Sequence, residues 1–387
     1  MRVLMLSWEF PPRSVGGVAA HVDGLSQALA AARNEVALLT LAHPGSPADT
    51  VQGGVRVLRA RIDLPWLPDD AEVARAASAN HHLVQLSTRL LPWRPDIVHA
   101  HDWNVAWAGD TLAALYDAPL IATFHGTARG RHGGRVPPGE PGTIHAVESW
   151  LAHRADQVLA NSRFMVREII GGFELAAERT HLVPNGIDPT WWATGELPGN
   201  RRPLVFTWGR VQYEKGFQVL ARSMNLLRSR VPGIRCVIGG RGSYLPELQS
   251  QIDLEGVSDI IELPGFLPDD RLRDMVHRAG CVVIPSLYEP FGIVALEGMA
   301  AGAPTIVART GGLAEIVEGT DAGLLFEPGN HQDLAAKIEE VLTDTKRATA
   351  MRKKAAALLE ARYTWDAIAL STVEVYDVAC RGALTTA

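Results

Sequence analysis

Short runs of Val, Ile and Leu alternate with longer stretches of helical periodicity from one end of the chain to the other. A strand that is apolar on both faces must be covered on both faces. Helices returning between parallel strands do that covering, so the alternation points to a doubly wound α/β architecture. In the first half, strands are expected at 2–7, 35–41, 55–60, 96–100, 119–124, 157–160 and 180–184, with helices at about 18–32, 71–90, 103–116, 143–154 and 163–171. The pattern stops at residues 191–203, where Gly195, Pro198, Gly199 and Asn200 read as a linker. It then restarts, with strands near 204–208, 234–238, 260–263, 281–285 and 304–308. Residues 331–382 read as helix after helix, with starts at Asn330 and Thr364. We therefore expect domains over 1–190 and 191–365 and a last helical segment over 366–387, a division that suits 387 residues. In such sheets a ligand is expected at the carboxyl ends of the strands, here in a cleft between the two domains.

Composition excludes several classes of function. With 37 Lys and Arg against 43 Asp and Glu, the net charge of −6 argues against bulk nucleic-acid binding. The three cysteines have no paired spacing; Cys236 and Cys281 sit in apolar runs and read as small core residues. The apolar start meets Glu9, Pro11 and Pro12 at once, which is too short for a signal segment, and no run of 18 apolar residues exists. A soluble cytoplasmic protein is the expectation. Residues 71–95, with Arg75, Arg89, Trp93 and Arg94, leave open a weak peripheral membrane contact, although a helix packed on the sheet is the preferred reading.

The segment Glu289-Pro-Phe-Gly-Ile-Val-Ala-Leu-Glu297 carries the most chemistry. Glu289 stands at the mouth of a loop and Glu297 about two turns into the helix after it. Gly292 lets backbone approach a ligand closely, and the first free N–H groups of the helix after it favour phosphate. Each carboxylate can accept hydrogen bonds from vicinal hydroxyls. One segment thus offers groups for a sugar, a diphosphate and a ribose.

Other constellations sit at predicted strand ends. Arg210 and Lys215, between Gly209 and Gly216, place a planar fork and a point charge where phosphate would lie. Gly16-Gly17 follows the first strand and precedes a helix; alone, it is best read as an ordinary tight turn, and it is not a dinucleotide fingerprint. His125, in Thr123-Phe-His-Gly126, reads by itself as a structural histidine. In His99-Ala-His-Asp102 the two histidines share a strand face, but no third ligand is evident in sequence, so a metal site is not expected. Asp102 is better read as a hydroxyl acceptor. Asn185-Gly-Ile-Asp188 reads as a hinge, His81-His82 as an exposed pair, and residues 128–142, with Arg129, Arg131 and Arg135, as a mobile loop.

In this order, Trp8-Glu-Phe-Pro-Pro with Gly16-Gly17, His99-Ala-His-Asp-Trp103, Thr123-Phe-His-Gly126, Asn185-Gly-Ile-Asp188, Gly209-Arg210 with Lys215-Gly216, and Glu289 with Glu297 resemble retaining glycosyltransferases of the GT-B fold. The resemblance is to the large family 4 (group 1) type that includes glycogen and starch synthases, and it spans nearly the whole chain. It implies that Gly16 and Gly17 approach the donor diphosphate and that Arg210 and Lys215 neutralise it. Glu289 would hold hydroxyls of the transferred sugar, Glu297 the ribose, and backbone at Phe266 and Leu267 the base edge. His125 would lie near the anomeric centre, with Glu9 and Asp102 on the acceptor side. The C-terminal helix would cross back to the first domain. No cofactor or metal is implied, the nucleotide sugar being a substrate. One departure is Ser14, where bacterial glycogen synthases usually carry Lys; it favours a more specialised acceptor.

The reading favoured on this basis is hexose transfer, glucose first, from UDP- or ADP-glucose to a glucan or glycoconjugate, forming an α-1,4 linkage. Alternatives are a nucleotide-sugar 2-epimerase, a mannosyltransferase using GDP-mannose, and a non-catalytic sugar-binding protein. A phosphorylase is disfavoured because the chain is short and shows no pyridoxal-binding sequence.

Overall fold

The structure is a computed structural model and describes residues 1–13, 16–68, 70–193 and 203–386, with side chains through 382. Ser14 and most of the expected linker lie outside the described residues. The chain forms two compact units, Met1–Gly186 with Trp365–Ala387, and Ile187–Thr364.

The first unit is built on eight strands: β1 (Arg2–Ser7), β2 (Glu35–Leu41), β3 (Asp49–Gln52), β4 (Val55–Ala60), β5 (Ile97–His101), β6 (Leu120–Phe124), β7 (Gln157–Ala160) and β8 (Thr180–Leu182). Their order is β3-β4-β2-β1-β5-β6-β7-β8. Every pairing is parallel except β3 with β4. β1, β5 and β6 read as continuous apolar runs because both their faces are covered: Leu4 and Leu6 pack on one side with Ala100 and Phe124, Val3 and Met5 on the other with Val22, Leu25 and Leu29.

That second layer is completed by the last helix, Trp365–Thr386, whose Ile368, Ala369, Val375, Tyr376 and Ala379 join the same core. The C-terminal helix therefore belongs to the first unit, as expected of the fold. Helix Glu72–Ser87 buries Ala79, Leu83 and Leu86 against the other face, so its apolar stripe is used in the core.

The second unit carries β9 (Leu204–Trp208), β10 (Arg235–Gly239), β11 (Ile261–Gly265), β12 (Cys281–Ile284), β13 (Thr305–Ala308) and β14 (Leu324–Phe326). The order is β11-β10-β9-β12-β13-β14, parallel throughout. Cys236 and Cys281 are buried and unbridged in its core. In both sheets the chain reverses its direction of winding beside the first strand, between β1 and β5 and between β9 and β12. Loops at the carboxyl ends beside such a reversal diverge and leave room for a ligand.

Three expectations need correction. The seam falls between Gly186 and Ile187, inside Asn185-Gly-Ile-Asp188, instead of after residue 190, and on the return at Thr364/Trp365. Asp188 serves there as a helix cap, its Oδ1 accepting the N–H groups of Thr190 at 2.9 Å and Trp191 at 3.3 Å. Residues 128–142 are not one loop: Ala128–Arg131 and, from Glu140, Glu140–Arg154 are helical. Thr127 caps the first by accepting the Gly130 N–H, and Pro141 opens the second, where its lost N–H costs nothing. β3 and β14 were not foreseen; β3 is short and half-exposed at the sheet edge, and β14 has only three residues.

Candidate active site

In the second unit the predicted residues follow the ends of β9, β11 and β12. The turn after β9 carries Arg210, exposed and without an ion pair among the described residues, and then Lys215. Gly216 follows in a left-handed conformation, with φ 69°, and its missing Cβ would stand 1.9 Å from the carbonyl oxygen of Pro285. Only glycine allows that approach, which presses the Lys215 turn onto the loop after β12. Lys215 Nζ then reaches Glu289 Oε2 at 2.8 Å, and Ser286 Oγ donates to the same oxygen at 3.0 Å. The two residues assigned separately from sequence, Lys215 to phosphate and Glu289 to sugar, thus form one half-buried ion pair.

Gly292, with φ 100°, begins the helix Ile293–Ala300; a Cβ there would stand 2.2 Å from Leu313 Cδ2 and 3.5 Å from Glu289 Cγ. The turn brings Glu289 beside the helix start, where Ile293 and Val294 stand half-buried, while the Phe291 ring is anchored in the core. Glu297, deeper in that helix, accepts the Trp208 indole N–H at 3.1 Å, and burial pushes its carboxyl up to about 7. Leu267 is buried, whereas the adjacent Phe266 ring is 63% exposed beyond the end of β11.

Thr310-Gly311-Gly312, which sequence reasoning passed over, completes this region. The Gly312 N–H donates to the Glu289 carbonyl at 3.0 Å, and a Cβ on Gly312 would stand 2.5 Å from Phe291 Cα. A Gly-Gly pair between strand and helix was the available signal.

In the first unit Glu9 accepts the Gly16 N–H at 3.1 Å, so it holds the Gly16-Gly17 turn at the start of helix Gly17–Ala31. His101 ends β5. Asp102 follows with φ 62°, a conformation an L-residue adopts only when its surroundings enforce it. Its Oδ1 accepts the His125 backbone N–H at 2.7 Å, which fixes the loop after β6, and burial raises the Asp102 carboxyl to about 6. Burial also lowers His125 to about 4, so the ring is neutral at physiological pH.

The absence of a third ligand near His99 and His101 does not hold. His21, from helix Gly17–Ala31, packs on His125 with ring centroids 4.7 Å apart, and His101 Nδ1 lies 3.3 Å from His125 Nε2. His99 is committed elsewhere, to the Tyr376 hydroxyl and Thr123 Oγ1, both at 2.7 Å. His21 could not have been assigned from sequence, since nothing local distinguishes it from a core-facing helix residue.

Behind the site, Glu148 is wholly buried. Both its oxygens accept the Ala128 N–H at 3.0 Å, and Arg131 lies 3.6 Å away. Of the basic loop residues, Arg131 thus lies beside a buried acid, while Arg129 Nε donates to the Gly134 carbonyl at 2.9 Å. His81 and His82 lie on a helix surface with their rings 5.6 Å apart.

Two doubly wound parallel-sheet domains, each with its polar groups at the strand carboxyl ends and the last helix returned to the first, define a GT-B glycosyltransferase. Residues 15–191 match the family described as Glycosyltransferase Family 4, and residues 195–358 match Glycosyl transferases group 1. The chain is 36% identical to the glycogen synthase of Mycobacterium tuberculosis over 99% of its own length and 96% of that protein's. Among solved structures, sucrose-phosphate synthase from Thermosynechococcus elongatus superposes with a TM-score of 0.83 at 23% identity, covering 99% of this chain and 100% of that one. HepE of Anabaena in complex with UDP-glucose gives 0.77 at 22%, covering 98% and 100%. The chain belongs to the group 1, glycogen/starch synthase-like family of glycosyltransferases. It is an enzyme that uses a nucleotide sugar. No helix among the described residues is long and apolar enough to cross a membrane.

Proposed function

We propose that the enzyme transfers glucose, with retention of configuration, from UDP- or ADP-glucose to a glucan or glucose-containing glycoconjugate, forming an α-1,4 linkage. The observation that carries this reading is the group around Glu289: a carboxylate already held by Lys215 and Ser286, beside a helix start opened by Gly292. A hexose hydroxyl can share Glu289 while the diphosphate draws on Lys215, Arg210 and the N–H groups of Phe291 to Val294. The similarity to a glycogen synthase supports glucose and a glucan, and the likeness in fold to HepE, solved with UDP-glucose, is consistent with that donor.

As the bond to the sugar breaks, positive character grows on the anomeric carbon and negative charge on the departing diphosphate. Fixed cations and helix N–H groups stabilise that growing charge more than the ground state, which lowers the barrier without a metal. The family resemblance implies that the acceptor attacks from the leaving-group face, with a donor phosphate oxygen helping to take its proton, in place of the facing carboxylate pair of retaining hydrolases. For the first unit the family resemblance assigns neutral His125 to the anomeric centre, Asp102 and Glu9 to the acceptor, and Gly16 and Gly17 to the diphosphate. Glu297 would hold the ribose, with backbone at Phe266 and Leu267 against the base.

The test is incubation with UDP-glucose, ADP-glucose and GDP-mannose in turn, with and without maltooligosaccharide or an inositol phosphate, followed by proton NMR. The reading predicts α-linked product from a glucose donor and free nucleoside diphosphate only when acceptor is present. Conversion of donor alone to an epimer, or transfer only from GDP-mannose, would contradict it.

A further inference from the structure

Helix Gly17–Ala31, the end of β5 and the loop after β6 converge on three imidazoles. His21, His101 and His125 each offer one ring nitrogen, and these nitrogens all lie within 4.8 Å of one another. His101 Nδ1 and His125 Nε2 are 3.3 Å apart. Two imidazole nitrogens at about 2.0–2.1 Å on a tetrahedral zinc stand about 3.3–3.4 Å from each other. His21 is 2% exposed, and neither of its ring nitrogens makes a hydrogen bond of normal geometry among the described residues. Buried polar nitrogens without partners are costly, and a bound ion is one way a fold satisfies them.

The surroundings also suit a metal. His99 packs on His101 with ring centroids 4.2 Å apart, but both its nitrogens are taken by Tyr376 and Thr123, so it supports the set without joining it. Asn185, whose buried Oδ1 is otherwise unpartnered, neighbours the His21 ring and can accept the N–H of its non-ligating nitrogen, as ligating histidines require. The set contains no carboxylate, which disfavours magnesium and calcium and favours zinc, copper or nickel.

We propose that His21, His101 and His125 bind a borderline divalent cation, zinc in the first instance, and that its binding inhibits the enzyme. The inhibitory half rests on the placement of His125 beside the reacting sugar, because a coordinated His125 cannot serve there. The binding half does not depend on the donor or acceptor.

The test uses the full chain, treated with EDTA, desalted, and titrated calorimetrically with zinc sulfate and with magnesium chloride. One zinc should bind at micromolar concentration or tighter, and magnesium should not. His21→Gln and His101→Gln should each weaken zinc at least tenfold, whereas His82→Gln, at the surface pair, should leave it unchanged. X-ray absorption at the zinc edge of the wild-type protein gives a reading independent of any variant's folding: imidazole nitrogens at about 2.0–2.1 Å are expected. Stoichiometric zinc should lower turnover at least tenfold, and EDTA should restore it. No zinc bound by the wild type, affinity indifferent to both His21→Gln and His101→Gln, or an absorption spectrum without imidazole would overturn the site. Full turnover with zinc held by these histidines would overturn the inhibition and leave the site standing.

Discussion

At the scale of single residues, the site is a set of charges held in place before a donor arrives. Lys215 is not a free cation waiting for phosphate: its 2.8 Å contact to Glu289 fixes both side chains in one geometry. Removing a group aimed at developing charge costs on the order of a hundred- to a thousandfold in turnover. Lys215→Ala should show a loss of that order in kcat, and Glu289→Gln, which cannot hold Lys215 as an ion pair, should raise KM as well. A steady-state series with donor varied up to saturation checks both. None of this pairing was legible in sequence. Arg210, Lys215, Glu289 and Glu297 could be named because each follows an apolar run that had to be a strand, and strand ends are where ligands bind. Which of them touch depends on how β9 and β12 lie side by side, over 74 residues of separation between Lys215 and Glu289. His21 joined the histidine group for the same reason.

At the scale of elements, two contacts decide whether the loops hold their shape. The first is the close approach of Gly216 to the Pro285 carbonyl. Gly216→Ala adds the cost of a left-handed L-residue, about 1–2 kcal/mol, to a steric clash. It should lower the thermal midpoint and weaken donor binding together; a variant unchanged in both would show that the two loops are not locked. The second is Tyr376, whose hydroxyl ties the last helix to His99 beneath the histidine cluster. Tyr376→Phe leaves a buried ring nitrogen without its partner, a loss of about 1–3 kcal/mol measurable by denaturant unfolding. Helix and strand types were largely readable because buried parallel strands and amphipathic helices have different periods. The elements that escaped, β3 and β14, are too short to show a period. The 128–142 segment looked like loop because its glycines and prolines mask caps that only the folded chain reveals.

At the scale of the whole molecule, titration of buried groups sets the pH range of stability. His21, His99 and His101 are pushed well below the ordinary histidine range by burial, and His125 to about 4. As pH falls through about 6.5 the unfolded chain takes up protons that the folded chain refuses, so stability is lost on the acid side. Glu148 behaves oppositely. Burial raises it to about 8, so from about 4.5 upward the folded chain keeps a proton that the unfolded chain releases, and stability is lost as pH rises through that window. Glu148→Gln should therefore flatten the fall in thermal midpoint between about pH 6 and 8.5; an unchanged slope would mean that Glu148 is ionised in the fold.

The division into two domains was likewise legible, since each sheet repeats the same winding, and the hinge read at Asn185-Gly-Ile-Asp188 holds the seam, although the expected domain boundary lay a few residues later. The seam lies there because Gly186 packs against Trp365, where a Cβ would come within 2.6 Å of the indole, and that contact ends the first unit. The account as a whole rests on diphosphate charge being met by side chains of the second unit. The most direct measurement is the initial rate of glucose transfer by the wild type, Arg210→Ala and Lys215→Ala, each assayed with EDTA present. A full wild-type rate in EDTA and a loss of about a hundredfold or more in both variants is the expected result. Wild-type activity abolished by EDTA, or either variant turning over at the wild-type rate, would contradict it.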